Sequence, residues 1–347
     1  MNTPVKHGRY LSDILDQPKA ILATWQALRE STALSRASTL LEEKKFERLV
    51  VTGMGSSFFG FYPLVLETAE HGWSPLLIET SELVHYYPRL LKGSTLVVAV
   101  SQSGQSAETL RLLQSNGNGQ TVIAVTNTAD SPLAKQADIT VLTSAGSEYS
   151  VSCKTYVAGL LALSLLSAAL CGEVIEQRFA DLEAAADEAA SYLRDWNAHV
   201  EQLVDSLRGA RRLFLVGRGT SLAAVGTGAL ITKESAHFHA EGMSSAAFRH
   251  GPFEMLAKDT VVGVFSGEDR TRDLNERLAS EIRQCGSQSL IIGSDSPQSA
   301  LRIPNVGDIL RPMMEILPVQ MMTLALASIA GRTAGEFDRA TKITVVE

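Results

Sequence analysis

The turn Ser101-Gln-Ser-Gly-Gln-Ser106 gathers three hydroxyls and two carboxamides around one glycine, with no carboxylate among its six residues. It follows the β-branched run Thr95-Leu-Val-Val-Ala-Val100 and precedes a helical pattern over Ala107 to Gln114. Where a strand turns into a helix, backbone N–H groups and the helix dipole favour an anion. The glycine permits close backbone approach and the serines add donors. Such a turn suits a phosphate group, of charge about −1.5 to −2. Taken alone, it equally suits ordinary N-capping by Ser103 or Ser106.

The elements that hold this turn recur along the chain. Arg48-Leu-Val-Val-Thr-Gly53-Met-Gly-Ser-Ser57 resembles Arg212-Leu-Phe-Leu-Val-Gly217-Arg-Gly-Thr-Ser221, which lies 164 positions on. Thr95 to Ser101 is echoed by Thr260 to Ser266, and Gln120 to Thr126 by Gln288 to Ser294, at offsets of 165 and 168. Three matches at a nearly constant offset predict two copies of one domain. Each matched run is short, β-branched and unalternating, as in a parallel strand buried on both faces. Helical patterns between the runs predict right-handed βαβ units, hence an α/β fold with parallel sheets. Residues 11–44 read as helices, residues 176–207 as one long linking helix, and Asp338 to Glu347 as a tail with no partner in the repeat. The expected division is a helical lead-in over 1–35, a first domain over 36–175, a linker helix over 176–207, a second domain over 208–335 and a tail over 336–347.

The copies differ where it matters. In the second copy the corresponding turn reads Ser266-Gly-Glu268-Asp269, and its two carboxylates would repel a phosphate. The phosphate is therefore expected in the first copy alone. Gly53-Met-Gly55 and Gly217-Arg-Gly219 lack the third glycine and the acidic residue of a dinucleotide fingerprint, which disfavours that class of ligand.

Composition narrows the field. The 347 residues are 45% hydrophobic and 20% charged, enough to build a core of two domains, and the net charge is −7. No Lys/Arg-rich run is present, which argues against a nucleic-acid partner. Cys153, Cys171 and Cys285 form neither a disulfide framework nor a metal-ligand pair. The N-terminus has no apolar stretch of signal type, and the apolar run Tyr156 to Cys171 is too short to span a bilayer, so a cytoplasmic chain with no membrane partner is expected.

Six collinear motifs carry a family resemblance: Tyr10 to Ile21, Ser101-Gln-Ser-Gly, Ser144-Ala-Gly-Ser-Glu148, Gly228 to Glu234 with His239-Ala-Glu-Gly, Arg249-His-Gly-Pro252, and Asp338 to Glu347. The chain resembles the tandem sugar-isomerase (SIS) domains of glucosamine-6-phosphate synthase, and the stand-alone phosphosugar isomerases, deaminases and deglycases of that family. The resemblance implies two three-layer α/β/α flavodoxin-like domains and a homodimer with active sites near the subunit contact. The synthase's N-terminal glutaminase domain has a nucleophilic Cys after the initiator Met. Here Asn2 follows Met1, so glutamine hydrolysis is not expected.

Moving a carbonyl between C1 and C2 of a sugar needs a base for the carbon-bound proton, an acid/base for ring opening and stabilisation of the enediol. Glu234 shares a helical stripe with Ala223, Gly226 and Leu230, an apolar setting that would partly desolvate a carboxylate. On the residues alone it also suits a helix-end Glu paired to a cation. By resemblance it is the proton-abstracting base. His250 sits before Gly251-Pro252, at a helix-ending turn, and histidine as a residue type exchanges protons near neutral pH. By resemblance it opens the ring, contributed from the neighbouring subunit. Lys342 aligns with the lysine that forms a Schiff base or contacts the carbonyl. Ser101, Gln102, Ser103 and Ser106 would hold the phosphate, Ser57 and Val151 would contact the sugar, and Glu148 would be structural or face the substrate. No metal or organic cofactor is implied. One departure is Ile231, where the synthases carry a Lys three residues before the base. It leaves a second reading open: a sugar-phosphate-binding regulator without turnover. Retention of Glu234, His250 and Lys342 together favours the enzyme.

Overall fold

The computed structural model describes residues 5–115, 120–344 and 346. Three helices precede the first strand: α1 (Arg9–Leu15), α2 (Gln17–Arg29) and α3 (Ala33–Glu43). The chain then forms two compact units. One comprises Pro18–Glu148, Cys153–Ala186 and Ala340–Glu347; the other comprises Met1–Gln17, Tyr149–Ser152 and Asp187–Arg339. They are called here the first and second unit.

The sheet of the first unit contains β1 (Arg48–Gly53), β2 (Pro75–Glu79), β3 (Thr95–Val100), β4 (Thr121–Thr126) and β5 (Ile139–Leu142). Its order is β2-β1-β3-β4-β5, with every pairing parallel. This is the flavodoxin-like doubly wound order. Between the strands lie α4 (Ser56–Phe59), α5 (Tyr62–Glu70), α6 (Thr80–Tyr86), α7 (Ala107–Ser115) and α8 (Pro132–Gln136), and α9 (Lys154–Cys171) follows the last. β3 and β4 are buried at every position, which explains their unbroken apolar runs. Val97 pairs with Val50 on one side and Val122 on the other, and Leu112 and Leu113 of α7 pack over this patch.

The chain passes from the first unit to the second within α10 (Ile175–Arg194) and continues into α11 (Trp196–Leu207). The single helix expected over 176–207 is thus two. The break at Asp195 brings the Tyr192 and His199 rings to 4.4 Å, whereas seven residues of unbroken helix rise about 10 Å. The second unit holds β6 (Arg212–Gly217), β7 (Ala240–Ser244), β8 (Thr260–Phe265) and β9 (Gln288–Ile292) in the parallel order β7-β6-β8-β9. Its other helices are α12 (Leu222–Ala236), α13 (Ser245–Arg249), α14 (Asp269–Gln284) and α15 (Arg311–Ile329). The strand order repeats β2-β1-β3-β4 of the first unit, as the internal sequence repeat predicts, with no counterpart of β5 among the described residues.

Among the described residues two helices are long and apolar enough to cross a membrane: α15, and α9, whose 18 residues exceed the apolar run Tyr156 to Cys171 read as too short; both are almost wholly enclosed by protein. Within α15 lies a carboxyl group, Glu315, with no solvent exposure. Burial pushes Glu315 up to about 7, against the Ser221 hydroxyl, which donates to Oε1 at 2.7 Å, and the nearby Arg311 cation; Glu268 and Asp308 push it further up. In an unfolded chain a Glu titrates at about 4.3. The folded chain therefore holds this proton over a pH range in which the unfolded chain has lost it. The stability it contributes is complete below about pH 4.3 and is lost as pH rises through about 7. Denaturant melts from pH 5 to 8 should show wild type losing on the order of 3 kcal/mol relative to Glu315→Gln. Parallel curves would contradict this account of Glu315.

Candidate active site

The turn after β3 is built from its own side chains. Ser101 N–H donates to Val125 O at 3.1 Å, tying the turn to β4. Gly104 N–H donates to both the carbonyl and the hydroxyl oxygen of Ser101, each at 3.2 Å. Gly104 has φ +63°, and a Cβ there would overlap the Ser131 hydroxyl and lie 2.6 Å from the Ser131 Cβ. Only glycine fits. Ser103 Oγ accepts from Gln105 N–H at 3.4 Å. Ser106 is the N-cap of α7: its Oγ accepts from Thr109 N–H at 3.4 Å and bonds the Thr109 hydroxyl at 2.9 Å.

The walls come from the loops after β4 and β5. Gln102 O accepts from Asn127 N–H at 3.1 Å and from the Thr126 and Thr128 hydroxyls at 3.3 Å. Asn127 staples the second loop to the first: Oδ1 accepts from Ala145 N–H at 2.7 Å and from Thr143 Oγ1 at 3.0 Å, and Nδ2 donates to Gly146 O at 2.8 Å. These loops enclose an open cavity of about 630 Å³, lined by Gln102, Ser103, Gln105, Asn127, Thr128, Ala129, Asp130, Ser144, Gly146, Ser147, Glu148, Lys342 and Ile343.

Lys342 reaches this cavity from the C-terminal tail, held by an ion pair between its Nζ and Glu148 Oε2. The Glu148 side chain is fully enclosed. Its Oε1 accepts from the N–H groups of Cys153 and Thr155, each at 2.9 Å, and its Oε2 accepts from the Thr155 hydroxyl at 2.7 Å. Four donors fill the carboxylate, at the positive end of the 18-residue helix α9. Glu148 is therefore a capping group that fixes the lysine. Two residues further on, Thr344 O accepts from Ala107 N–H at 3.2 Å, so the tail also touches the first turn of α7.

Of the residues singled out in the sequence, Gln102, Ser103 and Lys342 line this cavity, and Glu148 with them. Ser101 and Ser106 frame the turn without lining the cavity. Ser57 lies on α4 at the C-terminal end of β1, its Cβ 3.1 Å from where a Gly53 Cβ would stand. Val151 is buried, 1% exposed, in the second unit. Glu234 and His250 also belong to the second unit. Glu234 is half-buried on the last turn of α12, one turn after the wholly buried Ile231; His250 is exposed and caps α13, its N–H donating to Ala247 O at 3.0 Å. The two helices adjoin β7 in sequence. Asn127, Thr128 and Asp130 were not singled out. Their position directly after β4 was the available signal, since doubly wound sheets bind ligands beyond the carboxyl ends of their strands.

In the second unit the corresponding turn is occupied by the chain itself. Glu268, 1% exposed, accepts from Thr220 N–H at 2.9 Å through Oε1 and from Arg270 Nε at 2.5 Å through Oε2. Burial alone would raise this carboxyl, but the Thr220 N–H and Arg270 outweigh it and hold it below the usual carboxylate range.

Fold and site together define a tandem flavodoxin-like α/β protein with an anion-type turn, open to a ligand, in one of its two copies. The chain matches the SIS domain family over residues 75–169 and 206–330, more than half of its length, and it belongs to that family. Glutamine–fructose-6-phosphate aminotransferase (isomerizing) of Thermococcus kodakarensis is 28% identical over 97% of this chain and 58% of that relative. The chain thus spans a little over half the length of that curated relative. The C-terminal domain of glucosamine-fructose-6-phosphate aminotransferase from Francisella tularensis superposes with a TM-score of 0.84 at 22% identity, covering 96% of this chain and 99% of that one. Glucosamine-6-phosphate deaminase from Thermotoga maritima gives 0.77 at 18% identity, covering 98% and 100%. At these identities the two structures establish the shared fold.

Proposed function

We propose that the protein is a phosphosugar enzyme of the aldose–ketose isomerase or deaminase type, acting on a hexose or hexosamine 6-phosphate or a fructosamine 6-phosphate. The observation that carries the reading is the meeting of a carboxylate-free Ser/Gln turn and one fixed lysine in a single cavity of the first unit. The phosphate rests on the 101–106 turn, where backbone N–H groups, the Ser103 hydroxyl and the α7 dipole favour it. The open-chain sugar then extends toward Lys342. Lys342 passes the proton of its ion pair to Glu148 and adds as the free amine to the sugar carbonyl; the proton then returns and leaves with the oxygen as water, giving an iminium that acidifies the neighbouring C–H. Glu234 takes that proton and returns it to the adjacent carbon. His250 moves the proton of ring opening. The family resemblance of these positions supports the last two roles. The proposal assigns these residues no glutamine hydrolysis and needs no cofactor. It places the enzyme in the cytoplasm, as a homodimer with a shared active site and a sugar phosphate as its partner.

The test is incubation with fructose 6-phosphate in deuterated water, following the C1 protons by NMR, with glucosamine 6-phosphate and a fructosamine 6-phosphate assayed in parallel for release of the amine. Exchange or release supports the enzyme. Binding of the whole panel without either would establish the regulator instead. Borohydride added during turnover should trap the sugar on Lys342, found by peptide mass. Lys342→Met should abolish the adduct, and an adduct that persists would remove Lys342 from its role.

A further inference from the structure

We propose that the second unit holds a second anion site, suited to a tetrahedral oxyanion such as inorganic phosphate, which the chain fills with its own Glu268. The location is the crevice between the carboxyl ends of β6 and β8, where the order β7-β6-β8-β9 reverses direction. It is the counterpart of the serine turn in the first unit. Counting from Ser101 and Ser266, the first residue of each turn, Glu268 stands where the first unit has Ser103.

The site is built, and an anion occupies it. Glu268 Oε1 receives the Thr220 N–H at 2.9 Å, and Oε2 receives Arg270 Nε at 2.5 Å. Thr220 belongs to the turn that leads into the 15-residue helix α12. The Thr220 hydroxyl, on a residue 5% exposed, has no hydrogen-bond partner among the described residues. It faces the same carboxylate without meeting the geometry of a bond, yet near enough to help hold the carboxyl ionised. Gly219, at φ +59°, allows the close approach: a Cβ there would overlap Glu268 Oε1 and lie 2.9 Å from Cδ. A buried hydroxyl thus faces the carboxylate without a full bond to it, as expected of a cradle larger than its occupant. Of the other charged groups nearby, Arg311 is paired with Asp308 at 2.6 Å, Asp269 with Arg272 at 2.6 Å, and Glu315 retains its proton below about pH 7.

One residue therefore decides whether the chain has one phosphate site or two. Full-length protein labelled with 15N-threonine is titrated with sodium phosphate at pH 6, and the Thr220 amide is followed by NMR. This signal is local to the second unit and is independent of binding in the first. In wild type the Thr220 resonance should stay fixed. In Glu268→Ser it should shift saturably, and equilibrium dialysis should count one phosphate per chain more than wild type. A Thr220 resonance that ignores phosphate in folded Glu268→Ser would overturn the proposal. Glu268→Gln keeps the shape of the latch should the serine variant not fold. Loss of the charged acceptor should then speed Thr220 amide exchange about tenfold, and an unchanged rate would equally overturn it.

Discussion

Glu234→Gln is expected to slow exchange of the C1 proton of fructose 6-phosphate by about 10²- to 10⁴-fold, the span removed with a general base. The amide keeps the size of the carboxylate on the last turn of α12, where the side chain is half-buried. Packing around the buried Ile231 and Ala236 should therefore stay as it is. Binding of the sugar phosphate should change by no more than about twofold, because the proposed phosphate site is in the first unit and uniform binding is untouched. Trapping on Lys342 by borohydride should also persist, since iminium formation precedes removal of the C–H proton. The combination of lost exchange, kept binding and kept trapping separates a missing base from a damaged fold. A variant that still exchanges at near the wild-type rate would take Glu234 out of the mechanism.

Gly104→Ala is expected to weaken sugar-phosphate binding by about 100-fold or more. An alanine would be strained at φ +63°, and its Cβ would collide with Ser131. Strain of this kind costs on the order of 1–3 kcal/mol. The turn relieves it by moving, which breaks the two bonds from Gly104 N–H to Ser101 and the bond from Leu133 N–H to Gly104 O. Ser131 also caps α8, through Ala134 N–H at 3.2 Å, so it cannot retreat freely. Calorimetric titration with fructose 6-phosphate measures the loss, and far-UV circular dichroism checks that both sheets survive. Unchanged affinity would mean that the phosphate does not rest on this turn.

How much of this was legible in the sequence follows from where each element lies in its sheet. β1, β3, β4, β6 and β8 are flanked by strands on both sides, and most of their positions are buried, so their β-branched runs stand out. β9, at an edge, came through the repeat. The other edge strands, β2, β5 and β7, pair on one side only and are partly exposed, so Pro75–Glu79 and Ala240–Ser244 carry no such run. The serine turn was visible because its chemistry lies in consecutive residues. Its partners were not: Asn127 staples two loops 18 residues apart, and Glu148 meets Lys342 across 194 positions. No local pattern encodes such meetings. The carboxylates of Ser266-Gly-Glu-Asp269 correctly marked that turn as unlike its counterpart. Sequence could not show that Glu268 turns inward to take the anion's place, nor that Glu315 lies buried close by.

The proposed chemistry stands on two contacts, phosphate on the first unit's serine turn and sugar against Lys342. A crystal structure with fructose 6-phosphate bound tests it most directly. Phosphate oxygens should lie within hydrogen-bonding distance of Ser103 and the turn's backbone N–H groups, with the sugar's C2 toward Lys342 Nζ. A phosphate bound elsewhere, with the 101–106 turn left to solvent, would contradict it.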